Sequence, residues 1–223
     1  MKRKLYENLV EKRKNHQDFP NGLQNPSEIE GNFDCNHIGA WSKWQGNLDA
    51  DILVIGQDWG DVNYFIKNGG KDKDDNPTNQ NLQKLFSEIG INIGLPRKPI
   101  TQPVFFTNAI LGIKGNIEQN QMSKPVKNQW IKHSNDNFTK ELIEIIQPKF
   151  IITLGAKPLY AMKLMYPEIP KEKLSNLVDK NPLKLNNGIL FFPFYHCGGL
   201  GLVNRKFEFQ RIDWQKAKLF INS

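Results

Sequence analysis

Four stretches of nearly unbroken apolar residues punctuate the chain, each closing on a polar residue or a glycine. They are Ile52–Gly56 in "DILVIGQDWG", Val104–Thr107 in "PVFFTNAIL", "KFIITLG" from Lys149 and "GILFFPFYH" from Gly188. Alternation of apolar and polar positions is missing from all of them, as expected of strands buried on both faces. Helical spacing fills the intervals. Leu82, Leu85, Phe86 and Ile89 share one face of a helix over Asn81–Ile89. "VKNQWIKHSNDNFTKELIEII" reads as a long helix that stops before Pro148. "AKPLYAMKLMY" starts a helix right after Gly155, and a last helix runs from about Lys206 to Phe220. Near the N-terminus, Tyr6–Lys14 suits a short amphipathic helix. Asn15–Asp51, dense in Gly, Pro, Asn and Asp, reads as an irregular arm. Apolar strands separated by helices predict an α/β fold, a three-layer α/β/α sandwich around a four-stranded parallel sheet. The expected organisation is a single domain over residues 1–223, with residues 1–50 forming a helix and arm packed on it.

In such sheets ligands bind beyond the carboxyl ends of the strands. Asp58, Asn108, Gly155 and His196 lie there, three of them polar and each from a different strand. A carboxylate can orient water or stabilise a developing cation. A carboxamide offers a donor beside an acceptor, matching the edge of an amide or a nucleobase. An imidazole can donate to an oxygen that gains negative charge. Together these suit a hydrolysis that separates a cationic centre from an anionic leaving group, such as loss of a base from a sugar. Taken singly, each has a plainer reading: Asp58 as a helix cap, Asn108 as a turn residue, His196 as a satisfied structural group. The combination carries the weight.

Charge adds a partner class. The 223 residues carry a formal net charge of +7, which suits a polyanion, although a Lys-, Asn- and Ile-rich bias accounts for part of it. Cys35 and Cys197 are the two cysteines, too few for a disulfide framework. No apolar run approaches the ~20 residues that span a bilayer, and the N-terminus lacks a signal peptide's apolar core. A cytoplasmic protein with no membrane association is expected, with no obligate protein partner evident. "DKDDN" hints at a calcium loop, but Pro77 stands where that loop needs Gly and Gln83 where it needs Glu. Cys35, His37, His196 and Cys197 have ligand chemistry for zinc, but spacings too tight for chelating pairs; buried thiols are the better reading of both cysteines. Trp41 and Trp44 suit packing of the arm onto the sheet better than stacking on nucleic acid. Arg97 and Lys98 read as a solvated basic loop.

"GQDWG", "FFTNAIL", "IIQPKFIITLGAKPLYAM" and "FFPFYHCGGLG" resemble, in order, the motifs of the uracil-DNA glycosylase superfamily. The resemblance covers roughly Gly46 to Arg205. "GNLDADILVIGQDWG" is similar to the iron–sulfur branch in its lead-in, while "GQD" matches the branch that reads Gly-Gln-Asp-Pro-Tyr. It implies that Asp58 positions water and faces the sugar cation, with Gln57 in the same loop. Asn108 would read the base edge and His196 would stabilise the leaving base. Leu200 would wedge into the stack, and Arg205 and Lys206 would meet phosphates. Phe65 is the first candidate to stack on the base, Tyr64 the second.

Departures from the motifs matter too. Gly60 stands where the family has a Tyr that bars substituted pyrimidines, so a larger base than uracil becomes admissible. "HCGGLG" replaces His-Pro-Ser, which suggests a looser loop at Gly198 and Gly199. The cluster cysteines are missing: Cys35 resembles a remnant of one and Gly112 falls about where another would stand, so no cluster and no other cofactor or metal is expected. The resemblance implies a monofunctional DNA glycosylase that flips a pyrimidine-type base and leaves an abasic site. Its substrate would be uracil, in repair, or a bulkier, hypermodified phage base, in defence. A nucleic-acid-binding relative that does not cut, and a hydrolase of free nucleosides, are the alternatives.

Overall fold

A computed structural model describes residues 1–31, 33, 36–39, 43–45, 47–96, 98–99, 103–115 and 125–221. Cys35, Trp41 and Arg97 lie outside the described residues. The strands in chain order are β1 (Leu23–Gln24), β2 (Ile52–Gly56), β3 (Gly94–Leu95), β4 (Lys98–Pro99), β5 (Val104–Asn108), β6 (Ile113–Lys114), β7 (Phe150–Leu154), β8 (Leu183–Lys184) and β9 (Leu190–Phe194). The helices are α1 (Lys2–Lys14), α2 (Val62–Lys67), α3 (Pro77–Glu88), α4 (Asn128–Ser134), α5 (Lys140–Ile146), α6 (Ala156–Met165), α7 (Leu174–Leu177), α8 (Leu200–Asn204) and α9 (Phe207–Ile221). A π-helical turn, Asn135–Thr139, joins α4 to α5 into the one long element that the periodicity predicts.

The central sheet has the order β5-β2-β7-β9-β8. Its first four strands are parallel, as their unalternating apolar runs predict. The expected four-stranded sheet needs one correction: β8 adds a two-residue antiparallel edge against β9. Its short length and exposed Lys184 explain why hydrophobicity does not reveal it. Both faces are covered. Leu53, Ile55, Phe105, Ile151 and Phe191 pack with α1, α4, α5 and α6, whereas Ile52, Val54, Phe106, Ile152 and Phe192 pack with α3 and α9. This is a mostly parallel α/β sheet between helical layers.

Two boundaries move for a local reason. Helix α3 begins at Pro77, four residues before the expected Asn81, because Asn76 caps it by accepting from Thr78 N–H and Pro needs no hydrogen bond at the first helical position. In the arm, Leu23–Gln24 pairs antiparallel with β6. Among the described residues no helix is long and apolar enough to cross a membrane.

Candidate active site

A cavity of about 350 Å³ opens at the carboxyl ends of β2, β5 and β9, and Gln57, Asp58, Gly60, Asn108 and His196 all line it. Trp44, Tyr64, Asp72, Asn76, Thr78, Leu82 and Phe106 complete much of its wall. The sheet register explains the convergence. Gly56 pairs with Asn108, so the residues after β2 and the last residue of β5 meet on one rim.

Asp58 is held from several directions. Gln57 Nε2 donates to its Oδ2 at 2.9 Å, and the Gly60 N–H donates to its Oδ1 at 2.8 Å. Lys114 Nζ lies 3.1 Å from Oδ1, with side chains only 4% and 10% exposed for Lys114 and Asp58. A carboxylate offers about four acceptor positions, so these partners saturate Oδ1 and leave Oδ2 with capacity to spare.

Asn108 is buried, and among the described residues its carboxamide has no hydrogen-bond partner. Its Oδ1 occupies space that a side chain at position 56 would fill: a Cβ on Gly56 would fall 2.3 Å from it. With no partner among the described residues, the carboxamide on the cavity wall presents a donor beside an acceptor to the cavity.

His196 Nδ1 receives the Gly198 N–H at 3.1 Å. The Gly198 carbonyl is equally close but already accepts from Gly201 N–H at 3.0 Å. In the tautomer in which Nδ1 accepts from Gly198 N–H, the ring proton sits on Nε2, where it can be donated. The loop that carries His196 is tighter than its glycines suggest. Asn81 Nδ2 donates to Cys197 O at 2.8 Å, and a Cβ on Gly198 would fall 2.1 Å from Thr78 Oγ1. Gly198 is thus there for close packing on α3, which corrects the expectation of looseness at that position. Cys197 is fully buried, and burial pushes its thiol up to about 12.

Other expectations also change. Phe65 is fully buried among Ile29, Trp59, Val62 and Ile113, with its ring edge-on to Phe33, so it does not reach the cavity. Successive helical residues point about 100° apart, and Tyr64 is the one that α2 turns to the cavity. Burial, reinforced by the charge of Asp72, pushes the Tyr64 phenol up. Gly60 does line the cavity, but its φ of +95° belongs to the left-handed region, and Tyr64 Cδ1 lies 3.2 Å from where a Cβ would sit. Tyr64 therefore takes up room that Gly60 leaves.

Leu200 is exposed at the start of α8, and Lys206 is exposed just beyond its end. Arg205 is engaged elsewhere. It grips the buried Asp213 with two bonds, at 2.9 and 2.6 Å, and reaches Asp179 at 2.9 Å. A buried carboxylate requires a counter-charge, so Arg205 serves as the partner of Asp213. Trp44 packs on Phe106 and donates from Nε1 to Ile93 O at 2.8 Å, in keeping with the packing role.

Lys114 is the residue that sequence reasoning misses. It stands alone in "LGIKGN" with no partner spaced to announce an ion pair. Gly56 carries a fainter signal, as a glycine closing a strand whose neighbour ends in Asn. No protein-family model matches the chain, and no curated protein matches it in sequence.

Proposed function

We propose that the protein is a monofunctional DNA glycosylase of the uracil-DNA glycosylase type, acting on a pyrimidine-type base. The observation that carries this reading is the meeting of Asp58, an unpartnered Asn108 and His196 on one cavity. The volume of about 350 Å³ sits at the small end of the roughly 300–1,000 Å³ of ligand pockets, which suits one flipped nucleotide base. The net charge of +7 supports a polyanionic substrate, with salt-dependent affinity that is independent of base sequence.

In this mechanism Asn108 pairs with the edge of the base and selects it. The bond between the base nitrogen and the sugar C1′ breaks, and its electrons leave with the base. His196 Nε2–H donates to the base oxygen that gains this charge. Asp58 stabilises the cation left on the sugar and orients a water through Oδ2. The water oxygen bonds to C1′ and the proton it loses passes through solvent to the departed base anion, giving a neutral free base and an abasic site. Tyr64, on the wall beside Gly60, takes the stacking role. Leu200 fills the gap left in the duplex, and Lys206 meets the backbone.

The test is incubation with oligonucleotides that hold uracil, a thymine mismatch or a bulky cytosine derivative, followed by alkali cleavage. At least one should be cut, and Asp58→Asn and His196→Ala should each lower the rate by about 100-fold or more. Binding without cutting would make the protein a non-catalytic binder. Faster cleavage of free nucleosides would make it a nucleosidase.

A further inference from the structure

An ammonium group buried in a protein is strongly disfavoured unless it is paired. Lys114 is 3% exposed, and among the described residues its ammonium meets Asp58 and no other charged or hydrogen-bonding side chain. It does not line the cavity, so it is placed to act on Asp58 rather than on a ligand. The strand that carries it is anchored by the arm. Leu23 pairs with Lys114 and Gln24 with Ile113, and Gly115 N–H donates to Gly22 O at 2.9 Å. Gly112, just before β6, lets the arm approach: a Cβ there would fall 2.9 Å from Phe19 and 3.1 Å from Leu23. The arm is tied down in turn by the fully buried Arg13, which donates to Asn25 Oδ1, Ser27 Oγ and His37 O.

We infer that Lys114 is a positioning residue for the reaction and that the N-terminal arm is the element that holds it. Lys114 clamps Oδ1 of Asp58, so that Oδ2 is the oxygen presented to water and sugar. This rests on the glycosylase reading of the cavity. The arm is then part of the working site, and Gly112 is required by its close packing.

The experiment compares the full chain with Lys114→Met, Lys114→Arg, Asp58→Asn and the double variant Asp58→Asn/Lys114→Met, in excision kinetics on the oligonucleotide cut best. Lys114→Met should lower kcat by about 100-fold while KM changes less than about twofold. Lys114→Arg should restore most of the rate. In the Asp58→Asn background Lys114→Met should cause no further loss. Gly112→Ala should slow the wild-type protein and leave Lys114→Met unchanged. Full activity in a folded Lys114→Met protein, or multiplicative losses with Asp58→Asn, overturns the clamp. Equal losses from Gly112→Ala in both backgrounds overturn the arm's part. Urea denaturation of the same proteins reads the pair without catalysis, and coupling of about 10-fold or more in the unfolding constant is expected. If the wild-type chain cuts no base, the glycosylase reading falls, while absence of this coupling overturns the clamp on its own.

Discussion

Gly56→Ala adds one methyl group beneath Asn108 and isolates what that carboxamide does. Gly56 lies outside the left-handed region, so alanine brings no backbone strain there. The new Cβ would sit 2.3 Å from Asn108 Oδ1 and 3.5 Å from its Cγ. Ordinary contact requires the oxygen to retreat by about 1 Å, enough to break a hydrogen bond of normal length. Misplacing a recognition group by about 1 Å costs on the order of 100-fold in rate. Overpacking at a closed site costs about 1–3 kcal/mol of stability, partly offset by the ~0.4–1 kcal/mol that Gly→Ala contributes through the unfolded chain. Single-turnover excision and urea denaturation, run side by side, separate the two effects. The expected result is a large loss of excision with a modest loss of stability. Gly56→Ala/Asn108→Ala removes the clash, so stability should return while excision stays low. A Gly56→Ala protein that cuts at the wild-type rate would refute the role assigned to Asn108.

Arg205→Met should destabilise the fold by about 3–5 kcal/mol in urea denaturation, because it strands the buried Asp213; the salt dependence of DNA binding should stay unchanged, whereas Lys206→Ala should flatten it. His133 forms a 2.8 Å hydrogen bond with His16, and burial, with the neighbouring His16 second, holds its imidazole below the usual histidine value. A group depressed in this way contributes stability above its unfolded value near 6.5, and that contribution is lost as pH falls through the folded value. Urea midpoints should therefore drop on acidification below about pH 6.5, and His133→Gln should blunt that dependence; an unchanged slope would contradict it.

How much of this was legible in the sequence depended on the range of the signal. Ile52–Gly56 and Val104–Phe106 are continuous apolar runs, so the burial and parallel pairing of β2 and β5 follow from local pattern alone. The rim residues Asp58, Asn108 and His196 follow from the rule for strand ends, and they do share one cavity. The sequence reading puts Phe65 ahead of Tyr64, whereas the cavity takes Tyr64, because α2 has only Val62–Lys67 in which to show a periodicity. Asp61 caps that helix by accepting from Tyr64 N–H, which is the local cue that fixes its phase. The Arg205–Asp213 pair is invisible in the sequence because Asp213 stands on the next helix, where a sequence offers charge without contact. Lys114 and Asp58 are far apart in the chain and meet because Lys114 forms a β-bridge to Asp61, just beyond the β2 rim, and β6 packs on α2, which no local pattern encodes.

The most direct test of the account is mass spectrometry of the small-molecule fraction after incubation of the protein with a modified-base oligonucleotide panel. The account predicts a free pyrimidine-type base released from DNA in equal amount to new abasic sites, and its loss in Asp58→Asn. Intact DNA with no free base across the panel, from a protein that is folded and binds DNA, would contradict it.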